Sequence, residues 1–228
     1  GSDCAFIKVE NTLSALQQLA TSHRTKFSLP VIGITGSNGK TIVKEWLYQL
    51  LKLRYNICRS PKSFNSQIGV PLSVWNLNER HNLALFEAGI SLPGEMEKLQ
   101  HIIQPTLGVF TGIGAAHREG FSSQEEKIEE KFKLFQNCDQ IVVNGLSADK
   151  IPSSYRDKKI LRIGEGGDIE IKNISIGVDN TDIILNHHGK DYSIQIPFLD
   201  NASISNALTC FGVLVVLNLN LEEYIPLF

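Results

Sequence analysis

Lys40 and Thr41 are the residues whose types and spacing most directly suggest chemistry. They close a glycine loop, Thr35-Gly36-Ser37-Asn38-Gly39-Lys40-Thr41. An apolar, β-branched run at 31–34 leads into the loop, and a helical pattern at 42–51 follows it. Strand, glycine loop, Lys-Thr and helix together make a phosphate-binding loop. Glycines let backbone N–H groups turn toward a phosphate, and the helix adds the positive end of its dipole. Lys40 reaches the outer phosphates, and the Thr41 hydroxyl suits Mg²⁺. The strict form of this motif has glycine five residues before Gly39, where this chain has Ile34, with Gly36 inside the loop instead. The competing reading is an ordinary strand-to-helix turn that happens to spell Gly-Lys-Thr.

Three further residues are of types that suit a metal or a proton. Glu87 ends an apolar strand at 83–86 and precedes Ala88-Gly89. A carboxylate there faces the loop and can hold Mg²⁺, which prefers oxygen ligands; the alternative is a solvated glutamate at the sheet edge. His117 follows a strand and a run of small residues, as a metal ligand or as a structural histidine. Lys131 lies at the margin of the apolar face formed by Ile128, Phe132 and Phe135. A half-buried amine there has a lowered pKa and can react with CO₂ to give a carbamate, a carboxylate-like metal ligand. The alternative is a lysine that snorkels to solvent.

These residues need a scaffold, and the chain spells one. Strand patterns at 31–34, 55–58, 83–86, 106–111 and 140–143 alternate with helical patterns at 42–51, 68–77, 93–103 and 123–137. That rhythm predicts an α/β fold, a mostly parallel sheet with helices on both faces. In such sheets ligands sit at the carboxyl ends of the strands. Residues 36–41, 65–67, Glu87 and His117 all follow strands. From about residue 159 the pattern changes to alternating strands at 160–163, 169–176, 181–186 and 192–196. This predicts a small antiparallel sheet near the C-terminal part. The stretch 187–191 is a candidate hairpin turn, and its two adjacent histidines are read as exposed turn residues, with metal ligands as the alternative. A helix at 12–20 with Thr12 as N-cap precedes the sheet, and an apolar helix at 203–217 follows it.

Bulk properties bound the remaining possibilities. The chain has 228 residues, 42% of them hydrophobic, and a formal charge of −2. That supports a sizeable core and gives no basic surface for nucleic acid. Cys4, Cys58, Cys138 and Cys210 are far apart and read as reduced thiols of a cytoplasmic protein. The longest apolar run, 211–217, is too short to span a bilayer, so no membrane partner is expected. Gly1-Ser2 reads as a cloning remnant.

The loop spelling resembles that of the Mur ligases, amide-forming enzymes of peptidoglycan precursor synthesis. Several stretches are similar to the branch that adds D-alanyl-D-alanine to UDP-N-acetylmuramoyl-tripeptide. These are Lys44-Glu45, the segments 64–72, 87–89 and 115–121, and Lys131 with Phe135 in register. The resemblance runs from about residue 11 to 220. It implies ATP and Mg²⁺ as cofactors, with ATP on Thr35, Gly36, Ser37, Asn38, Gly39, Lys40 and Thr41. It implies Thr41, Glu87, His117 and a carbamylated Lys131 on the metal side, with Lys40, His117 and Lys131 serving catalysis. Asn65, Ser66 and Gln67 would line the muramoyl-peptide site. One stretch departs from the family: Asn206-Ala207-Leu208 fits, but Ala202 and Ser203 replace an expected His-Asn pair. Asn201 and Asn206 are then the candidate contacts for the nucleoside. The resemblance divides the chain into the tail of an N-terminal domain with a hinge helix (1–29), a central ATP-binding domain (30–220) and the start of a link to a C-terminal domain (221–228). Partners would be the two substrates, the missing domains and, in some relatives, a fused alanine racemase. A sister ligase, a polyglutamate ligase, or a nucleotide-binding fragment inactive alone are the alternatives.

Overall fold

The computed structural model describes residues 6–113 and 120–228. His117 and the small residues before it lie outside the described residues. Nine strands form one sheet in the order β2-β3-β1-β4-β5-β6-β7-β8-β9. They are β1 (Val31–Thr35), β2 (Ile57–Arg59), β3 (Leu83–Glu87), β4 (Leu107–Phe110), β5 (Gln140–Asn144), β6 (Lys159–Ile163), β7 (Ile169–Ile176), β8 (Thr181–His187) and β9 (Lys190–Ile196). From β2 to β6 every pairing is parallel. The α/β class read from the rhythm is the observed one. The antiparallel group is also present, but it continues the main sheet. Strand 159–163 pairs parallel with β5, and β7 pairs parallel with β6 at Ile163 and Ile169, so antiparallel pairing starts between β7 and β8. Alternation in sequence marks a strand with one face less buried than the other, not its direction, and of β6 only Ile163 is buried.

Helices cover both faces. On one side α2 (Lys40–Leu51) and α6 (Asn201–Val216) pack over Ile32, Ile34, Leu83, Leu85 and Val109. On the other, α1 (Thr12–Arg24), α3 (Gly69–Val74), α4 (Glu95–Ile103) and α5 (Gln124–Phe132) cover Val31, Ala84, Phe86 and Phe110. Neighbouring residues of one strand serve opposite cores because side chains alternate across a sheet. All five residues of β1 are buried, as a central parallel strand requires. A last short helix, α7 (Leu221–Tyr224), follows α6.

Helix starts follow local capping chemistry. Asn11, not Thr12, caps α1, accepting from the Ser14 N–H at 2.9 Å. Asn leads the N-cap ranking, ahead of Thr. Ser123 caps α5, and Glu126 reaches back to the Ser122 N–H. Asp200 caps α6, which begins at Asn201, two residues before the expected start. The turn between β8 and β9 is His188-Gly189, both at positive φ; it is tighter than the stretch 187–191 expected from sequence, since His187 ends β8 and pairs with Lys190.

Candidate active site

The loop after β1 sits at the carboxyl edge of the sheet, between the ends of β3 and β4. Both of its glycines are obligatory. Gly36 has φ +147°, and an added Cβ would lie 2.2 Å from Thr111 Oγ1. Gly39 has φ +81°, and its Cβ would lie 2.3 Å from Asn206 Oδ1. The second contact accounts for Asn206: it is 7% exposed and packs against the loop from α6. Thr111 Oγ1 donates to the Asn38 carbonyl at 2.5 Å, and the Ser37 N–H donates to the Gly112 carbonyl at 2.9 Å. Gly39 precedes α2 with no side chain capping its start, which leaves first-turn amides for an anion. Thr35 is buried and donates to the Ala88 carbonyl at 2.9 Å, so its hydroxyl ties β1 to the chain beyond β3.

Lys40 folds back over the loop. Its Nζ donates to the carbonyls of Gly36 at 3.0 Å and Ser37 at 3.2 Å. Burial lowers its pKa and Lys127 adds to that, while Glu87 opposes both. Lys131 does not snorkel. It is 3% exposed, and its Nζ donates to the same Gly36 carbonyl at 3.0 Å. Burial, then the charges of Lys40 and Lys127, bring its pKa down to about 7. An amine in that range is substantially neutral near physiological pH.

Glu87 is not a solvated edge residue. Its side chain is fully buried at the end of β3, and neither carboxylate oxygen has a hydrogen-bond partner among the described residues. Lys44 Nζ lies 4.0 Å from Oε2. Burial raises the carboxyl pKa, against the pull of Lys44, the Thr41 hydroxyl and Lys40. A buried carboxylate whose oxygens make no hydrogen bond among the described residues, near the Thr41 hydroxyl, suits a hard cation. No group of three or more His, Cys, Asp or Glu side chains forms a metal cluster among the described residues. His117 lies outside them, so its part in the metal side is not placed.

Two clefts flank the loop and share Asn38. One, of about 550 Å³, brings Lys40, Lys127 and Lys131 opposite Asn65, Ser66 and Gln67. The other, of about 310 Å³, is lined by Gly39, Gly112, Gly145, Asn201 and Asn206. Of the three residues expected on the substrate side, two have side chains that also hold structure. Ser66 Oγ accepts from the Gly69 N–H at 3.2 Å. Gln67 accepts from Gln17 Nε2 of α1 at 3.0 Å and donates to the Glu95 carbonyl at 3.1 Å. Leu13 of α1 lines the same cleft, so the N-terminal helix forms part of the site wall. Sequence reasoning missed this role, and it missed the burial of Lys44. Both depend on packing across 50 or more residues of chain, or on loops with no periodic signal.

A family model for the Mur ligase middle domain matches residues 34–214. A UDP-N-acetylmuramoyl-tripeptide–D-alanyl-D-alanine ligase of Bacillus subtilis is 30% identical over 219 residues, covering 91% of this chain and 46% of the relative. The crystal structure of MurF from Acinetobacter baumannii superposes with a TM-score of 0.88 at 25% identity, over 96% of this chain and 50% of that one. MurF ligase from Thermotoga maritima, solved in complex with ADP, gives 0.83 at 28% identity, over 96% and 52%. The chain spans about half the length of the curated relatives it matches. The loop between two clefts, its helix and a family match across residues 34–214 agree: the chain belongs to the Mur ligase family, through its middle domain.

Proposed function

We propose that this chain is the central ATP-binding domain of a cytoplasmic ligase that joins D-alanyl-D-alanine to UDP-N-acetylmuramoyl-tripeptide. The observation that carries the reading is the convergence of Lys40 and Lys131 on the Gly36 carbonyl, at the edge of a cleft whose far wall is Asn65–Gln67. Relatives of this name are similar over nearly the whole chain. In this scheme the γ-phosphoryl of ATP passes to the peptide carboxylate, giving an acyl phosphate and ADP. The dipeptide amine then attacks the acyl carbon, phosphate leaves, and the amine proton is lost.

Such a transfer depends on positioning and on neutralising charge. Lys40 and the first-turn amides of α2 hold the outer phosphates. Thr35 fixes the loop against the end of β3. Asn201 and Asn206 line the cleft on the nucleoside side, and Asn65, Ser66 and Gln67 the muramoyl-peptide side. Thr41 and the buried Glu87 carboxylate are oxygen donors of the kind Mg²⁺ prefers; with His117 they are proposed as its ligands, and a carbamate on Lys131 would support a second ion. When bound, Mg²⁺ supplies charge neutralisation between carboxylate and phosphate. Lys131 is suited to carbamylation because its amine is buried and its pKa lowered. Residues 1–29 are assigned to the tail of an N-terminal domain with its docked helix, 30–220 to the catalytic centre, and 221–228 to a link toward a C-terminal domain.

The test uses the full-length protein with ATP, the muramoyl-tripeptide and D-alanyl-D-alanine. ADP release should require the dipeptide, and Lys40→Ala should lower it by about a thousandfold or more. Equal release with single amino acids would assign a sister ligase instead. Turnover kept by Lys40→Ala with only weaker ATP binding would overturn the role of Lys40. The isolated chain, at half the relatives' length, should bind ADP without turning over.

A further inference from the structure

Lys44 heads the largest wholly buried side chains of the described residues. It lies on α2, four residues past Lys40, and faces the core side of that helix. Its ammonium donates to the carbonyl of Lys62, lies 3.2 Å from Glu45 Oε1 and 4.0 Å from Glu87 Oε2. These contacts join the helix after the phosphate loop, the segment after β2 and the end of β3. Burying an ammonium for packing alone is worse than burying Met or Leu of similar volume. The groups it meets are ones that need holding. Lys62 is a non-glycine residue at φ +47°, a left-handed conformation that L side chains disfavour. Glu87 has no hydrogen-bond partner among the described residues.

Besides the Ser60 N–H bond to the Leu85 carbonyl at 3.0 Å, the segment after β2 is stitched to the end of β3 and the residues just beyond it at two points. Ser60 Oγ accepts from the Glu87 N–H at 3.3 Å, and the Asn65 carbonyl accepts from the Gly89 N–H at 2.8 Å. Lys44 sits between these two stitches. We propose that Lys44 is a positioning residue that couples the nucleotide loop to the loop presenting Asn65, Ser66 and Gln67, and that orients the Glu87 carboxylate. This rests on the reading of residues 65–67 as the muramoyl-peptide side.

The experiment replaces Lys44 by Met, which keeps the volume and removes the donors. Amide hydrogen exchange is measured on the chain, and kinetics on the full-length protein. Exchange at residues 62–69 and 87–89 should rise about tenfold, with β4, β5 and α6 unchanged within about twofold. The KM for the muramoyl-tripeptide should rise about tenfold, with the KM for ATP within about threefold. Unchanged loop exchange, or an equal rise across the whole chain, overturns the proposal. If Lys44→Met does not fold, Lys44→Gln carries the same test, with a rise of about threefold expected at 62–69. The two readings fail separately. A wild-type protein without dipeptide-dependent ADP release sinks the ligase assignment, whereas a normal wild type with an unaltered Lys44→Met loop sinks only the coupling.

Discussion

Glu87 shows how burial changes what a residue means. In sequence it is one acid at the end of an apolar run; in the fold it is a carboxylate without hydrogen-bond partners among the described residues. Burial raises its pKa, so the ionised form is less favourable folded than unfolded. The sign follows from linkage. Below about pH 4 the carboxyl is protonated in both states and costs nothing. As pH rises through the unfolded pKa toward the raised folded one, the unfolded state loses its proton first and stability falls. Glu87→Gln should therefore gain stability relative to wild type as pH rises from about 4 to 7, measured by urea unfolding at each pH. A flat difference, or one of opposite slope, would show that Lys44 and Lys40 already offset the burial. Stability given up at such a position is the usual mark of a site kept for binding.

At the level of elements, the site depends on helices docked by buried polar groups. Glu130 of α5 is 3% exposed and accepts from the N–H groups of Gly94 at 2.8 Å and Met96 at 3.1 Å. It thus caps α4 from another helix, through Gly94, which has φ +81° and no side chain to do so. Arg24 docks α1 in a similar way, donating to the carbonyls of Ile103, Phe27 and Gln104. Glu130→Ala leaves the buried Met96 amide unpaired, while the exposed Gly94 amide can turn to water, and should cost about 1–3 kcal/mol in urea unfolding. Exchange should rise first at the start of α4. A loss under about 0.5 kcal/mol would mean that water replaces the carboxylate there. Glu130 lies one residue from Lys131, so this cap also fixes the helix that aims Lys131 at Gly36.

For the whole molecule, one sheet separates two apolar cores. Cys58 and Cys138 lie in the core under α3–α5, and Cys210 lies in the core under α2 and α6. All three are free thiols. Burial pushes Cys58 and Cys138 up to about 12 and Cys210 upward as well. Because the thiolate is the reactive form, native protein at pH 8 should protect all three from a thiol reagent. Labelling should require unfolding, and the three should label at one common rate if both cores open together. A faster Cys210 would show that the α6 side opens separately. No helix among the described residues is long and apolar enough to cross a membrane.

The phosphate loop, the β-α rhythm and most helix spans were legible in the chain because they rest on local chemistry. Two glycines set the loop's backbone, Ser123 caps α5, and apolar runs mark the strands buried on both faces. Lys131 was legible only as a residue at the edge of an apolar stripe. Its burial against Gly36 joins residues 95 positions apart and depends on how α5 docks. The direction of β6, the docking of α1 on the cleft and the enclosure of Lys44 were likewise decided by the tertiary structure. Local sequence sets backbone conformation and which faces avoid water. Only packing between distant elements determines which polar groups lose their water and must find each other instead.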